Sequence, residues 1–397
     1  MMKFASIVNR LDTPAAYAWS IHDNARKRRD KGEDIILLSV GDPDFDTPRA
    51  ITRAAVKSLE SGRTHYGFFA GEPALRQAIA DRHAALTGQS VSPDQVVICP
   101  GAQNGLYTVV LCLAEAGDEV LVPEPRYVTY ESVVDASGAT RVDVPLDVER
   151  GFHLDTGKLE AAVTDRTRVI LLNTPHNPTG MVMTREELEG VAEVALRHDL
   201  WVVCDEVYAE LTFDVPHISV CSLPQIADRS VSIGSLSKSH AMQGWRMGWV
   251  VAPPDLAKHL INLVKPMHYG MSPFLQDAAV VALTEPHAET EEMNRDYRAR
   301  RDLVCSRVNA MPGLACSWPE GSMFLLVDVR ATGLDGESFA WGLLDHGGVS
   351  LLPGTGFGAS VTGHVRFSLT SPLAVLEDAC DRMERYARSL DSLSVSA

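Results

Sequence analysis

The stretch best equipped for chemistry is Ser235-Leu236-Ser237-Lys238, followed eight residues later by Arg246 within Gly244-Trp245-Arg246-Met247-Gly248. A lysine between two apolar runs is ordinarily a solvated loop charge. Here it stands between hydroxyls in a segment that reads as a loop joining two buried strands, Ser230–Gly234 and Trp249–Ala252. Burial disfavours the charged ammonium and leaves the amine free for Schiff-base chemistry. Ser235, Ser237 and Arg246 could together hold a phosphate, the guanidinium acting as a bidentate fork. A Schiff-base lysine beside a phosphate cup points to pyridoxal 5'-phosphate.

Other groups join that set at the ends of apolar runs. Gln95–Cys99 leads into Pro100-Gly101-Ala102-Gln103, whose small residues open a helix through Leu113 and expose N–H groups suited to a phosphate. Asp118–Val122 leads to Tyr127, an aromatic that could stack on a flat ring or sit in the core. Arg168–Asn173 runs into Thr174-Pro175-His176-Asn177-Pro178-Thr179-Gly180 and a helix from Glu186 to His198. Leu200–Cys204 delivers Asp205-Glu206-Val207-Tyr208. A carboxylate at the carboxyl end of a buried strand is where α/β sheets put ligand-binding groups. Strand, loop and helix repeat from Gln95 to Ala252, which predicts a doubly wound parallel sheet with every candidate at a strand end.

The order Ser-x-Ser-Lys then Gly-Trp-Arg-x-Gly, together with Asn177-Pro178-Thr179-Gly180 and Tyr66 followed by Gly71-x-Pro73-x-Leu75-Arg76, resembles the class I/II aminotransferases of the aspartate-aminotransferase fold type. The likeness runs from about Ser39 to Ser368 and implies PLP fold type I, a large α/β domain with a mostly parallel sheet plus a smaller α/β domain built from both chain ends. The expected divisions are 1–45, 46–284 and 285–397. It implies Lys238 as the Schiff-base lysine and proton shuttle, and Asp205 on the pyridine nitrogen. Asn177 and Tyr208 would meet the phenolic oxygen and Tyr127 the ring face. Gly101, Ala102, Gln103, Ser235, Ser237 and Arg246 would surround the phosphate. Gly41 and Arg366, the latter mid-strand in His364–Ser368, would hold the substrate carboxylate. Tyr66 would reach the cofactor phosphate of a neighbouring subunit and Tyr269 cross the same interface, so a homodimer with shared sites is expected. His176 is expected to be a neighbour, and Glu206 and Glu210 structural or solvated.

Within the family, Leu38–Pro48 and Ser235–Met242 look like arginine:pyruvate aminotransferases. In one branch of aspartate aminotransferases a lysine stands at the place of Gln103 and helps bind the second carboxylate, so a neutral Gln103 counts against aspartate. A guanidinium donor would need an acidic group at the mouth, for which Asp12, Asp44 and Glu72 are candidates. The alternatives are a broad-specificity aromatic, aliphatic or aspartate aminotransferase, a PLP-dependent carbon–sulfur lyase, and a transcription regulator built on such a domain. Only about forty residues precede Gly41, which leaves little room for an added DNA-binding domain.

The elements that must position these groups read as follows. Pro14–Arg29 is an amphipathic helix with Ala15, Ala18, Trp19 and His22 on one side, and Ile35–Val40 a strand. Pro73 opens a helix to about Leu86. Lys265–Pro273 is a loop region, Glu285–Asn309 a long helix, and Met323–Val329, Val349–Leu352 and His364–Leu369 short strands. The chain has 397 residues, more than one core usually supports. A net charge of −16 argues against nucleic acid or an anionic membrane as partner. Seven scattered cysteines without a C-x-x-C pair predict neither disulfide framework nor zinc site. With no apolar leader or membrane-length stretch, a cytoplasmic location is expected.

Overall fold

A computed structural model describes residues 3–11 and 19–394. The first part of the helix expected from Pro14, with Ala15 and Ala18, lies outside the described residues, as does Asp12; the helix that follows is Ser20–Asp30.

The first strand, β1, is only Ile36–Leu37, shorter than the expected Ile35–Val40. Beyond it the backbone turns to other partners: the Ser39 carbonyl accepts from Arg366 and the Val40 carbonyl from Thr370. The large sheet uses β2 (Val96–Cys99), β3 (Glu119–Glu124), β4 (Thr140–Pro145), β5 (Thr167–Asn173), β6 (Trp201–Asp205), β7 (Ser230–Ser235) and β8 (Gly248–Val251). Its order is β2-β8-β7-β6-β5-β3-β4, and only β8 runs antiparallel to its neighbours.

Successive strand side chains point to opposite faces, and both faces here are covered. On β5, Val169 and Leu171 enter one core with Leu106, Val109 and Val133 from two covering helices. Ile170 and Leu172 enter the other with Leu188, Val191 and Ala195 from the helix Arg185–His198. That helix starts on a reciprocal cap, in which Thr184 accepts the Glu187 N–H and Glu187 accepts the Thr184 N–H. The cap fixes the exit of the Asn177 loop.

Two further helices, Pro254–His268 and Pro273–Thr284, then Ala288–Asn309, carry the chain away from the sheet. The expected loop from Lys265 is helical to His268, because Pro266 lies in the last turn, where a lost N–H forgoes one bond. Only Tyr269–Ser272 is non-helical.

A second sheet contains β9 (Ala315–Cys316), β10 (Phe324–Asp328), β12 (Leu352–Pro353) and β13 (His364–Ser368) in the order β12-β13-β10-β9, all antiparallel. The expected strand Val349–Leu352 is split: β11 (Val349–Ser350) pairs parallel with β1, so early and late parts of the chain meet. Arg366 is mid-strand in β13, opposite Leu326 on one side and Leu352 on the other. No described helix is long and apolar enough to cross a membrane, and no described group of His, Cys, Asp and Glu is arranged to hold a metal ion.

Candidate active site

The carboxyl ends of β2, β3, β5, β6 and β7 converge on a cavity of about 210 Å³, closed from above by Gly41, Phe324 and Arg366. Lys238, Asp205, Tyr208, Asn177, Tyr127, Ala102, Gln103, Ser235, Ser237, Arg246, Gly41 and Arg366 all line it. Sequence reasoning missed Trp19, Tyr130, Asn173, Gln243 and Phe324, which line it too. Tyr130 had one local signal, its place three residues after Tyr127 at a helix start.

Lys238 stands in a single helical turn, Leu236–Ser239, started by Ser235, whose Oγ accepts the Ser237 N–H. Its Nζ donates to the Gly41 carbonyl at 2.6 Å. Burial lowers its pKa to about 8, the Arg366 and Arg246 charges pulling the same way against Asp42 and Asp205. Gly41 has no room for a side chain: a Cβ would lie 2.1 Å from the Phe324 ring.

Asp205 is 5% exposed and pushed up to about 6 by burial, although the Tyr130 hydroxyl donates to its Oδ2 at 2.7 Å and the Val207 N–H to its Oδ1 at 3.3 Å. Asn173 braces the strand end, donating to the Asp205 carbonyl and accepting the Asn177 N–H.

Arg366 is 1% exposed, with its guanidinium over the Phe324 and Phe357 rings at 4.1 and 5.0 Å. It donates to Asn177 Oδ1 at 3.0 Å and the Ser39 carbonyl at 2.7 Å, and burial brings its pKa down to about 10. His176, held to Thr179 and pushed down to about 4 by burial, is a neutral neighbour.

Arg246 adopts a left-handed conformation at φ 55° and donates to the Gln243 and Pro100 carbonyls. A Cβ on Gly101, itself at φ 83°, would lie 2.1 Å from its guanidinium. Ser235 Oγ sits 2.8 Å from Ser237 Oγ, beside the N-terminus of the helix Ala102–Leu113.

Two sequence candidates stand elsewhere. Tyr66 and Tyr269 are 85% and 52% exposed and meet edge to face at 5.0 Å on the surface, outside the cavity. Two candidate acids are already paired: Asp44 with Arg300 at 2.6 and 3.0 Å, and Glu72 with Arg63 at 2.8 Å and the Phe68 N–H.

Comparison with known proteins matches residues 33–383 to the family aminotransferase class I and II. The chain belongs to the class I and II aminotransferases. Among similar members is the arginine–pyruvate transaminase AruH of Pseudomonas aeruginosa, 50% identical over 98% of this chain and 99% of that one. The aspartate aminotransferase of Geobacillus stearothermophilus is 35% identical over 97% and 99%. Among solved structures, the Thermus thermophilus aspartate aminotransferase with maleate superposes with a TM-score of 0.92 at 32% identity, covering 97% and 100% of the two chains. The protein is a pyridoxal-phosphate-dependent aminotransferase of fold type I.

The residues present fit that cofactor. Among the described residues, the cavity's one buried carboxylate has no ion-pair partner and its buried arginine Nε has no acceptor. Lys238, Arg246 and Arg366 have no carboxylate within ion-pair distance among the described residues. A ligand bringing anionic groups and one ring cation would satisfy them all.

Proposed function

We propose that this aminotransferase takes its amino group from L-arginine and gives it to pyruvate, in two half-reactions sharing one site. Support comes from the 50% identity to AruH over nearly the whole chain, and from a neutral Gln103 where an acidic donor would need a cation. Pyridoxal phosphate, when bound, supplies an aldehyde carbon and an electron-withdrawing ring.

The chain's own residues then divide the work. Ser235, Ser237, Arg246, Gln103 and the backbone around Gly101 and Ala102 hold the phosphate, aided by the positive end of a helix. Tyr127 would cover the ring face, and Asp205 would meet the ring nitrogen as an anion. Asn177, whose Oδ1 is occupied by Arg366, keeps its amide N–H for the phenolic oxygen, beside Tyr208. Arg366 and the Gly41 N–H hold the donor's α-carboxylate. Lys238, its pKa lowered to about 8 by burial, would take the proton from the donor's Cα and deliver it to the carbon that the cofactor's aldehyde supplies. Tyr66 lies too exposed to serve its own cavity, which suits a homodimer in which it reaches the neighbouring phosphate and Tyr269 crosses the interface.

An anaerobic titration with L-arginine and no oxo acid tests this. Loss of the cofactor's visible band, restored by pyruvate, is the expected result. Spontaneous recovery with release of ammonia would instead identify a lyase, and no response to arginine would exclude it as donor.

A further inference from the structure

Of the side chains lining the cavity, two keep a buried polar atom with no hydrogen-bond partner among the described residues: Arg366 at Nε and Gln243 at Oε1. One is a donor and the other an acceptor. The donor suits a carboxylate. The acceptor has no role in the assignments above.

The orientation of Gln243 is fixed by chemistry. Its Nε2 donates to the Pro43 carbonyl at 3.1 Å, and a carbonyl can only accept, so turning the amide over would set two acceptors together. Oε1 is therefore left facing away from Pro43, and a buried carbonyl without a donor is unfavourable. The cofactor does not offer one: its phosphate accepts, and its ring proton belongs to Asp205.

Among the described residues, the two acids considered for a basic donor, and the neutral Gln103 in the cavity wall, already have partners. Asp44 pairs with Arg300, Glu72 with Arg63, and Gln103 Oε1 takes the Thr129 hydroxyl at 2.8 Å. We propose that Gln243 is a specificity residue that selects amino donors whose side chain ends in N–H groups, a guanidinium foremost, by accepting one of those hydrogens at Oε1. This rests on the arginine reading above and names the residue that would read the far end of the donor.

The test compares L-arginine with L-2-aminoheptanoate, of similar reach but without a terminal N–H. Gln243→Leu is expected to lower the ratio of kcat/KM for arginine over 2-aminoheptanoate by about ten-fold or more, mainly through KM. Calorimetric titration with α-methylarginine, which has no Cα proton to lose, should show binding weakened by a similar factor. Gln243→Glu gives up the tie to Pro43 but keeps an acceptor, and should hold the ratio at or above that of the unaltered enzyme. If both donors fall together in Gln243→Leu and the ratio stays constant, Gln243 only tethers the Gly41–Pro48 loop and the inference is wrong. If the unaltered enzyme itself shows no preference for arginine over 2-aminoheptanoate, the arginine reading and this inference fail together.

Discussion

Arg366 and Asp205 are both buried charges without a counter-ion among the described residues, yet the protein treats them differently. The arginine is clamped between two aromatic rings and donates to a side chain and a carbonyl. Even after burial its pKa stays about 10, so it remains charged with no anion beside it. Asp205 has one hydroxyl and one N–H, and burial lifts it to about 6, within reach of neutrality. On the proposed assignment, the arginine marks a substrate end that can stand empty while charged, and the aspartate a ring-nitrogen end that needs a resident cation to keep its charge. That matches a carboxylate that comes and goes at one end and a cofactor that stays at the other.

The largest expected effect is at the ring-nitrogen end. Removing one partner of a buried ion pair costs about 3–5 kcal/mol, so Asp205→Ala should lower kcat/KM by roughly 10²- to 10³-fold or more. A loss below ten-fold in steady-state assays would mean that Asp205 is not the partner of a cation during turnover.

The same end should respond in the opposite sense when cofactor-free. An unfolded chain loses the Asp205 proton near 3.8 and the folded one near 6. Folded stability is then highest below 3.8, declines as pH rises to about 6, and carries a constant penalty above. That penalty is about 3 kcal/mol, from 1.36 kcal/mol per pKa unit. Asp205→Asn has no charge to bury and can still accept from Tyr130. The cofactor-free variant should therefore unfold at higher denaturant concentration than the unaltered protein at pH 7, with the gap closing toward pH 4. Equal midpoints at both pH values would show that Asp205 is not penalised by burial.

How much of this was legible depended on sequence distance. Lys238, Ser235, Ser237 and Arg246 lie within twelve residues of one another, and Asn177 and Asp205 sit at the ends of apolar runs, so local pattern was enough. Tyr130 reaches Asp205 across 75 positions and Phe324 arrives from another sheet, contacts that only tertiary packing creates. Asp44 and Glu72 looked like free acids because their partners, Arg300 and Arg63, are set by the fold, the first 256 positions away. The β1 strand was overextended because apolar residues up to Val40 continue the pattern, while the backbone at Ser39 is drawn off to Arg366.

At the substrate end, Arg366→Lys keeps the charge and loses the planar fork. One lost charge-assisted hydrogen bond is worth about 1.5–3 kcal/mol, so kcat/KM for arginine should fall about 10- to 100-fold, mostly through KM. A fall confined to kcat would place Arg366 in proton transfer or cofactor alignment rather than in holding the carboxylate, and the contrast between the two ends would collapse.

The smallest effect is the most diagnostic of what sustains Asp205. The Tyr130 hydroxyl is one of two donors that oppose burial there. Without it, burial dominates further and the carboxyl takes up its proton at higher pH. Tyr130→Phe should leave the rate near pH 8.5 within a few-fold of the unaltered enzyme, while the acid limb of kcat/KM moves upward by about one pH unit, the equivalent of about 1.4 kcal/mol from one hydrogen bond to a charged group. A purely structural role for Tyr130 would lower the rate at every pH and leave the limb in place. A limb that moves downward would mean the hydroxyl stabilises the protonated carboxyl, which the contacts at Asp205 do not support.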